Sequence, residues 1–363
     1  MKITRKITKR IPKNQTKKIT SKKLFKKLIL GCHISISTSS STSSSTSSSI
    51  LDSIKYLESI DGNAAQIFLG SNRSASLKTK TKLTDEEITQ IRNYLSQNKI
   101  TLIIHSIYLL NFCNAHPNSG RVKYMHDNIQ YDLEYGSRIG AKCVILHLGF
   151  KKDLEATIAI KNLIDNINKI LKEMPPRIKL ALETPAGQGS QIAYTLEELT
   201  LIWNGVKYFG YKKVGICIDT AHIFVSGYDI SSVSGIKDYL DKFNTLIGWK
   251  NITNFHINDS RYPIASRKDE HRGIGQGLIY HTPEGKKALK YIKIFCETRG
   301  IPMILETPNK WVLPLRHSDM NGLPETPNKW VLPLIHSPGS ADIEDSHKAE
   351  HGYKWEIEMI RKL

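Results

Sequence analysis

Nine residues of this chain have the types and the spacing to hold metal ions. His105, His147, Glu183, Asp219, His256 and Glu306 each close a short apolar run. His222 follows in Asp-Thr-Ala-His, and Asp269 and His271 lie in Asp-Glu-His. Five imidazoles and four carboxylates form a mixed set that favours zinc, with manganese or iron as substitutes. Taken singly, each residue has a plainer reading: a histidine hydrogen-bonded in a loop, or a carboxylate capping the next helix. The set matters only if the fold brings it to one face. Crowded there without a cation, buried imidazoles and carboxylates would repel or stay unpaired at a cost of several kcal/mol. Nine ligands are too many for one tetrahedral ion; with one or two shared carboxylates they suit three.

The elements that must position these residues are legible as eight apolar runs. They are LILGCHIS near His33, AAQIFLG near Phe68, ITLIIHS at His105, AKCVILHLG at His147, IKLALE at Glu183, VGICID at Asp219, ITNFHIND at His256 and IPMILE at Glu306. Strands apolar throughout, without alternation, imply burial on both faces and a parallel sheet. Between them, residues 85–96, 125–139, 154–174, 196–206, 236–246 and 282–299 repeat apolar positions at three- and four-residue steps, as amphipathic helices do. Eight such units predict a (β/α)8 TIM barrel, with a doubly wound open sheet as the second choice. In a barrel the strand C-termini and the loops after them build one face, so all nine residues would converge there.

Three segments stand outside this pattern. Residues 1–29 carry 12 Lys/Arg and no acid. The remainder has 40 basic against 34 acidic residues, so most of the net charge of +18 sits in this tail. Such a block is expected to be disordered, to attract polyanions and to serve nucleic-acid binding or nuclear targeting. Residues 35–49 are almost all Ser and Thr, which predicts a flexible loop insertion. ETPNKWVLPLRHS from Glu306 recurs as ETPNKWVLPLIHS from Glu325, a local duplication within an insertion of about 307–350. Only the first copy follows a strand-like run, so Glu306 is the meaningful one. No apolar run approaches the roughly 18 residues that span a bilayer. The five cysteines contain no CxxC pair, and Cys32, Cys143 and Cys217 lie in strand-like runs. They read as buried thiols in a reducing compartment: nucleus, cytoplasm or organelle.

The motifs together resemble the type-IV abasic-site endonucleases. The matching stretches are HSIYLLN (105–111), HLG (147–149), ETPAGQG (183–189), CIDTAH (217–222), GYD (227–229), HIND (256–259), DEH with GIGQG (269–277) and ILET (304–307). The resemblance covers roughly residues 30–310 and a final helix near 352–363. It implies a TIM barrel with three zinc ions. His105, His147 and Glu183 would hold one; Glu183, Asp219, His256 and Glu306 a second; His222, Asp269 and His271 the third. Glu183 would thus be the bridging, catalytic carboxylate. The resemblance also implies hydrolysis 5′ to an abasic deoxyribose in duplex DNA, leaving a 3′-hydroxyl and a 5′-deoxyribose phosphate, and removal of 3′-blocking groups. Tyr108 matches a residue that intrudes on the DNA near the lesion, and Arg73 one that enters the base stack. The chain departs from the family in three ways: a Ser/Thr run in place of a glycine-rich turn after the first strand, Ser74 and Ala75 in place of an aromatic after Arg73, and the duplication after Glu306.

Two rival functions follow from parts of the pattern. A metal-dependent sugar isomerase or epimerase on a related barrel would use Glu183, Asp219, His256 and Glu306, and leave the other five ligands without a task. A basic DNA-packaging protein would rest on the tail alone. The default oligomeric state is a monomer.

Overall fold

The computed structural model describes residues 27–36, 46–72, 76–114, 119–209, 212–307 and 345–363, together with Ser74 and His116. Arg73, Ala75, residues 1–26 of the basic tail, most of the Ser/Thr stretch and the second repeat copy at Glu325 lie outside the described residues.

The elements, in order, are β1 (Leu30–His33), α1 (Thr46–Ser59), β2 (Ala64–Phe68), α2 (Asp85–Asn98), β3 (Thr101–His105), α3 (Gly120–Ile139), β4 (Cys143–His147), α4 (Ala156–Glu173), β5 (Lys179–Glu183), α5 (Leu196–Val206), β6 (Val214–Asp219), α6 (Thr220–Ser226), α7 (Val233–Leu246), β7 (Ile252–His256), β8 (Asp259–Ser260), β9 (His271–Arg272), α8 (Pro283–Arg299), β10 (Met303–Leu305) and α9 (Asp345–Lys362). Eight parallel strands close in the order β1-β10-β7-β6-β5-β4-β3-β2, while β8 and β9 pair apart as an antiparallel ribbon. This is the (β/α)8 barrel of the sequence reading, and each of the eight runs became one of its strands.

Helices formed where apolar periodicity met a capping residue. Thr84 and Glu87 make a reciprocal capping box at the start of α2. Thr282 caps α8, where Pro283 occupies a position whose N–H has no intrahelical partner. α3 begins at Gly120 behind its cap Ser119, five residues before the periodic stretch from Met125. Two expectations need correction. The Ser/Thr stretch is not loop to its end: α1 starts at Thr46, because Ile50, Ile54 and Leu57 bury fully on the barrel and the helix propagates back from them. The basic tail is not detached to residue 29 either. Leu28 is buried and its carbonyl accepts from Asn63 Nδ2, since an apolar residue beside a strand gains more from packing than from water.

The barrel interior explains the convergence of the site. Ala64, Ile103, Cys143, Ile145, Ala181, Cys217 and Ile304 form a separate buried cluster that plugs the barrel. Side chains alternate along a strand, so the inward position two residues further on belongs to the layer above the plug. That position is Gln66, His105, His147, Glu183, Asp219 or Glu306 after the corresponding plug residue. β1 approaches β2 so closely that a Cβ on Gly31 would lie 1.6 Å from the Ala64 carbonyl oxygen. Only glycine fits there.

Candidate metal centre

Glu183, the last residue of β5, sits at the centre of the layer above the plug. Its Oε2 lies 2.8 Å from His147 Nε2 and 3.4 Å from His105 Nε2. Its Oε1 lies 2.7 Å from His256 Nδ1 and 3.9 Å from His222 Nδ1. One carboxylate therefore faces two separate groups of nitrogens, one through each oxygen. His256 Nδ1 is also 3.1 Å from Glu306 Oε2 and 3.6 Å from Asp219 Oδ2.

The third group is built by loops. Asp219 ends β6 and caps α6, its Oδ1 accepting from the His222 backbone N–H. The Asp-x-x-His spacing is thus an N-cap followed by the third helical residue, which places both side chains at one helix start. The β8–β9 ribbon delivers Asp269 and His271. It is held by a salt bridge of 2.6 Å between Arg261 and Glu270, and by Asp259, whose buried carboxylate accepts from the backbone N–H groups of Gly275, Gly277 and Ile279. Asp269 lies 3.1 Å from His222 Nε2 and 3.3 Å from His271 Nε2, and His271 Nε2 is 3.9 Å from Asp219 Oδ2.

All nine residues singled out in the sequence therefore meet in one cluster. Their donor atoms fall into sets able to hold an ion: His105, His147 and Glu183; Glu183, Asp219, His256 and Glu306; and Asp219, His222 and His271. The first two coincide with ligand sets implied by the resemblance. In the third, Asp219 takes the place given to Asp269, which stands within reach of both histidines. Glu183, Cys217 and His256 form a further close set, with the Cys217 sulfur accepting from Asn254.

The electrostatics test whether cations fit. His105 Nδ1 faces the Ser106 carbonyl at 2.7 Å, and His222 Nδ1 faces the Thr184 carbonyl at 2.8 Å. Each ring thus donates outward and turns its other nitrogen toward carboxylate oxygens. A neutral ring would present a lone pair to a lone pair, so something positive must lie between. Glu183 Oε2 and His271 Nε2 are buried, with His147 Nε2 at 2.8 Å and Asp269 Oδ1 at 3.3 Å as their nearest ionisable partners. Protons can supply part of the charge. Burial lowers His271 basicity, yet hydrogen bonding to Asp269 and the Asp219 charge push it up to about 9. Burial would raise Glu183, but His256 and His147 hold it well below the usual carboxylate range. Several buried imidazolium ions would repel each other, whereas shared divalent cations satisfy the same nitrogens and oxygens together. The donor set fits bound metal.

The centre opens to solvent at one edge, where the side chains of His147 and Asp269 are 25% and 30% exposed. Tyr108 stands there, 48% exposed, its ring 5.3 Å from that of His105 and 5.2 Å from that of His147. Three polar residues of the site were missed in the sequence. Gln66 and His33 lie within strand runs, and Asn258 donates to Asp219 Oδ2 at 2.6 Å and to Glu306 Oε2 at 3.2 Å. A glutamine inside an otherwise apolar barrel strand was a usable signal. Below Glu306, α9 locks the chain: Glu356 Oε1 accepts from Thr307 Oγ1 and Ile274 N–H, and Tyr353 donates to the Thr307 carbonyl.

Known proteins resemble this chain in sequence and in fold. Residues 54–362 match the xylose isomerase-like TIM barrel family. A protein of Acanthamoeba polyphaga mimivirus named as an endonuclease 4 is 30% identical over 272 residues, covering 74% of this chain and 84% of its own. A Shouchella clausii protein of the same name is 33% identical over 261 residues, covering 71% and 84%. Among solved structures, endonuclease IV from Thermus thermophilus superposes with a TM-score of 0.61 at 22% identity, over 77% of this chain and 92% of that one. A D-tagatose 3-epimerase-like protein gives 0.55 at 17%, over 92% and 98%. At these identities the two structures show the shared barrel alone. The matches in sequence go further, and the chain belongs to the endonuclease 4 family of xylose isomerase-like TIM barrels.

Proposed function

We propose that this protein is a metal-dependent DNA-repair endonuclease. It hydrolyses the phosphodiester bond 5′ to an abasic site in duplex DNA, leaves a 3′-hydroxyl and a 5′-deoxyribose phosphate, and clears 3′-blocking groups. The observation that carries this reading is the convergence of all nine candidate ligands in one cluster at the strand ends. A sugar isomerase needs Glu183, Asp219, His256 and Glu306, and nothing in it uses His105, His147, His222, Asp269 and His271. Those five extend the cluster to the solvent-facing edge, where a phosphate can enter.

Three Zn2+, with Mn2+ or Fe2+ as substitutes, would supply Lewis-acid polarisation of the phosphate and a water acidic enough to attack at neutral pH. The chain's own residues do the rest. Glu183 stays ionised and ties the groups on its two oxygens to one spacing. Attack of water on phosphorus breaks the bond to the upstream 3′-oxygen, which takes a proton from solvent as it leaves at the exposed edge beside His147 and Asp269. Tyr108 is placed to press against the strand beside the lesion. An abasic sugar costs less to extrude than a paired nucleotide, which gives selectivity. Arg73 is assigned the neighbouring intercalating role by resemblance, and the basic tail a sequence-independent hold on the backbone. Five buried free thiols suit a reducing compartment.

The test is incision of a labelled duplex carrying one abasic analogue by the wild type and by Glu183→Gln. Cleavage on the 5′ side, lost in the variant, supports the assignment. A folded, metal-loaded wild type that leaves the duplex intact but interconverts sugars would replace it with the isomerase reading.

A further inference from the structure

The nine ligands leave out a polar side chain that the barrel aims into the same layer. Gln66 is fully buried, so its amide must find its partners inside the site. Its Oε1 lies 2.8 Å from His256 Nε2. Its Nε2 lies 2.5 Å from Glu306 Oε1 and 3.1 Å from His33 Nδ1. The carboxylate settles which way the amide points: turned over, it would set oxygen against oxygen. With Oε1 able only to accept, His256 must carry its proton on Nε2. Its Nδ1 is then the bare nitrogen, and that atom faces Glu183, Glu306 and Asp219 at 2.7, 3.1 and 3.6 Å.

The same amide therefore acts on two candidate ligands of one ion. It selects the tautomer of His256 that turns a lone pair inward, and it pins one oxygen of Glu306 so that the other faces the same point. His33 completes the chain from behind by accepting the amide's second hydrogen. The remaining imidazoles whose outward acceptor is known, His105 and His222, use backbone carbonyls that no side-chain substitution removes. At His256 the acceptor is a side chain and can be replaced.

We propose that Gln66 is a positioning residue for the cation site formed by Glu183, Asp219, His256 and Glu306, and that it sets the affinity of this site apart from the other two. The proposal rests on the metal-centre reading above. Outer partners of metal-bound histidines typically change affinity by about 10–100-fold when removed. The effect here should fall on one ion per chain, because within the centre the hydrogen bonds of Gln66 run to His256 and Glu306.

The experiment is competition for Zn2+ between the full chain and a chromophoric chelator, for wild type and Gln66→Leu. The expected result is one zinc per chain weakened about 10–100-fold in the variant, with the affinity of the others unchanged. Equal affinities for every ion in the two proteins would overturn the proposal and leave the metal centre standing. A wild type that binds no zinc would instead overturn the metal centre and this proposal with it. The wild type offers an independent check that needs no variant. Long-range 15N–1H correlation of the zinc-loaded protein should show His256 protonated on Nε2, and a proton on Nδ1 would refute the tautomer on which the proposal stands.

Discussion

Replacing Lys80 with methionine should destabilise the protein strongly at pH 8 and little at pH 5. Lys80 Nζ and Asp132 Oδ1 are 2.6 Å apart, and both side chains are at most 2% exposed. Lys80 also bridges back to Gly70 and so closes the segment that contains Arg73. Burial pushes Asp132 up to about 6 from an ordinary 3.8, while Lys80 pulls the other way. The folded state therefore binds this proton more tightly than the unfolded chain, and its contribution to stability falls as pH rises from about 3.8 through about 6. Without Lys80 the pull is gone and the folded pKa rises further. At pH 5 the carboxyl is protonated in both folded proteins, so the wild type holds the buried Lys80 side chain opposite a neutral acid and has lost the charge pair whose absence penalises the variant at pH 8. Above pH 6 the variant alone must bury an unpaired charge or hold a proton against its tendency to leave. Removing one partner of a buried pair costs about 3–5 kcal/mol. Urea unfolding at pH 5 and pH 8 measures the difference, which should open across this window. Replacing both residues with Met and Leu should recover most of the loss at pH 8. An equal penalty at the two pH values, or a double variant as unstable as the single one, would refute the argument.

Chelation of bound metal should lower the melting temperature and zinc should restore it, since a ligand present at about 1,000 times its Kd stabilises the fold by about 4 kcal/mol per site. Tyr108→Ala should lower the melting temperature only slightly, because the residue is 48% exposed at the rim of the centre. It should reduce the preference for abasic over intact duplex by on the order of 10-fold, within the range of about 1–3 kcal/mol for a lost aromatic–base contact. Deletion of residues 1–26 should weaken binding to duplex DNA and flatten its salt dependence while incision at low salt persists. A truncated protein that is folded, metal-loaded and inactive would place the function in the tail.

The strand set was readable because a parallel sheet covered on both faces gives apolar runs without alternation, such as AKCVILHLG, and eight of them at that spacing suit a closed barrel. The candidate ligands were readable for the same reason, since polar residues such as His147 and Glu183 at the ends of apolar runs break the pattern. What failed to show was anything set by tertiary contact. Thr46–Ser49 are helical only because Ile50 and Ile54 pack against the barrel. Leu28 belongs to the core although Lys26 and Lys27 precede it directly, so the basic stretch runs up to the first strand without a break in the sequence. The short helix α6 is specified by the Asp219 cap, and seven residues are too few for periodicity to reveal. The grouping of the candidate ligands depends on which carboxylate oxygen faces which ring, and spacing carries no such information. Asp219 stands between two groups, which no linear pattern could express.

The most direct test of the account is the metal content of the intact chain, measured by plasma mass spectrometry after gel filtration in chelator-free buffer. If all nine residues serve one polynuclear centre, the protein should carry three divalent ions per chain, and Glu183→Gln, which weakens the carboxylate shared between two groups, should carry fewer. A single ion, unchanged by Glu183→Gln, would contradict the central claim.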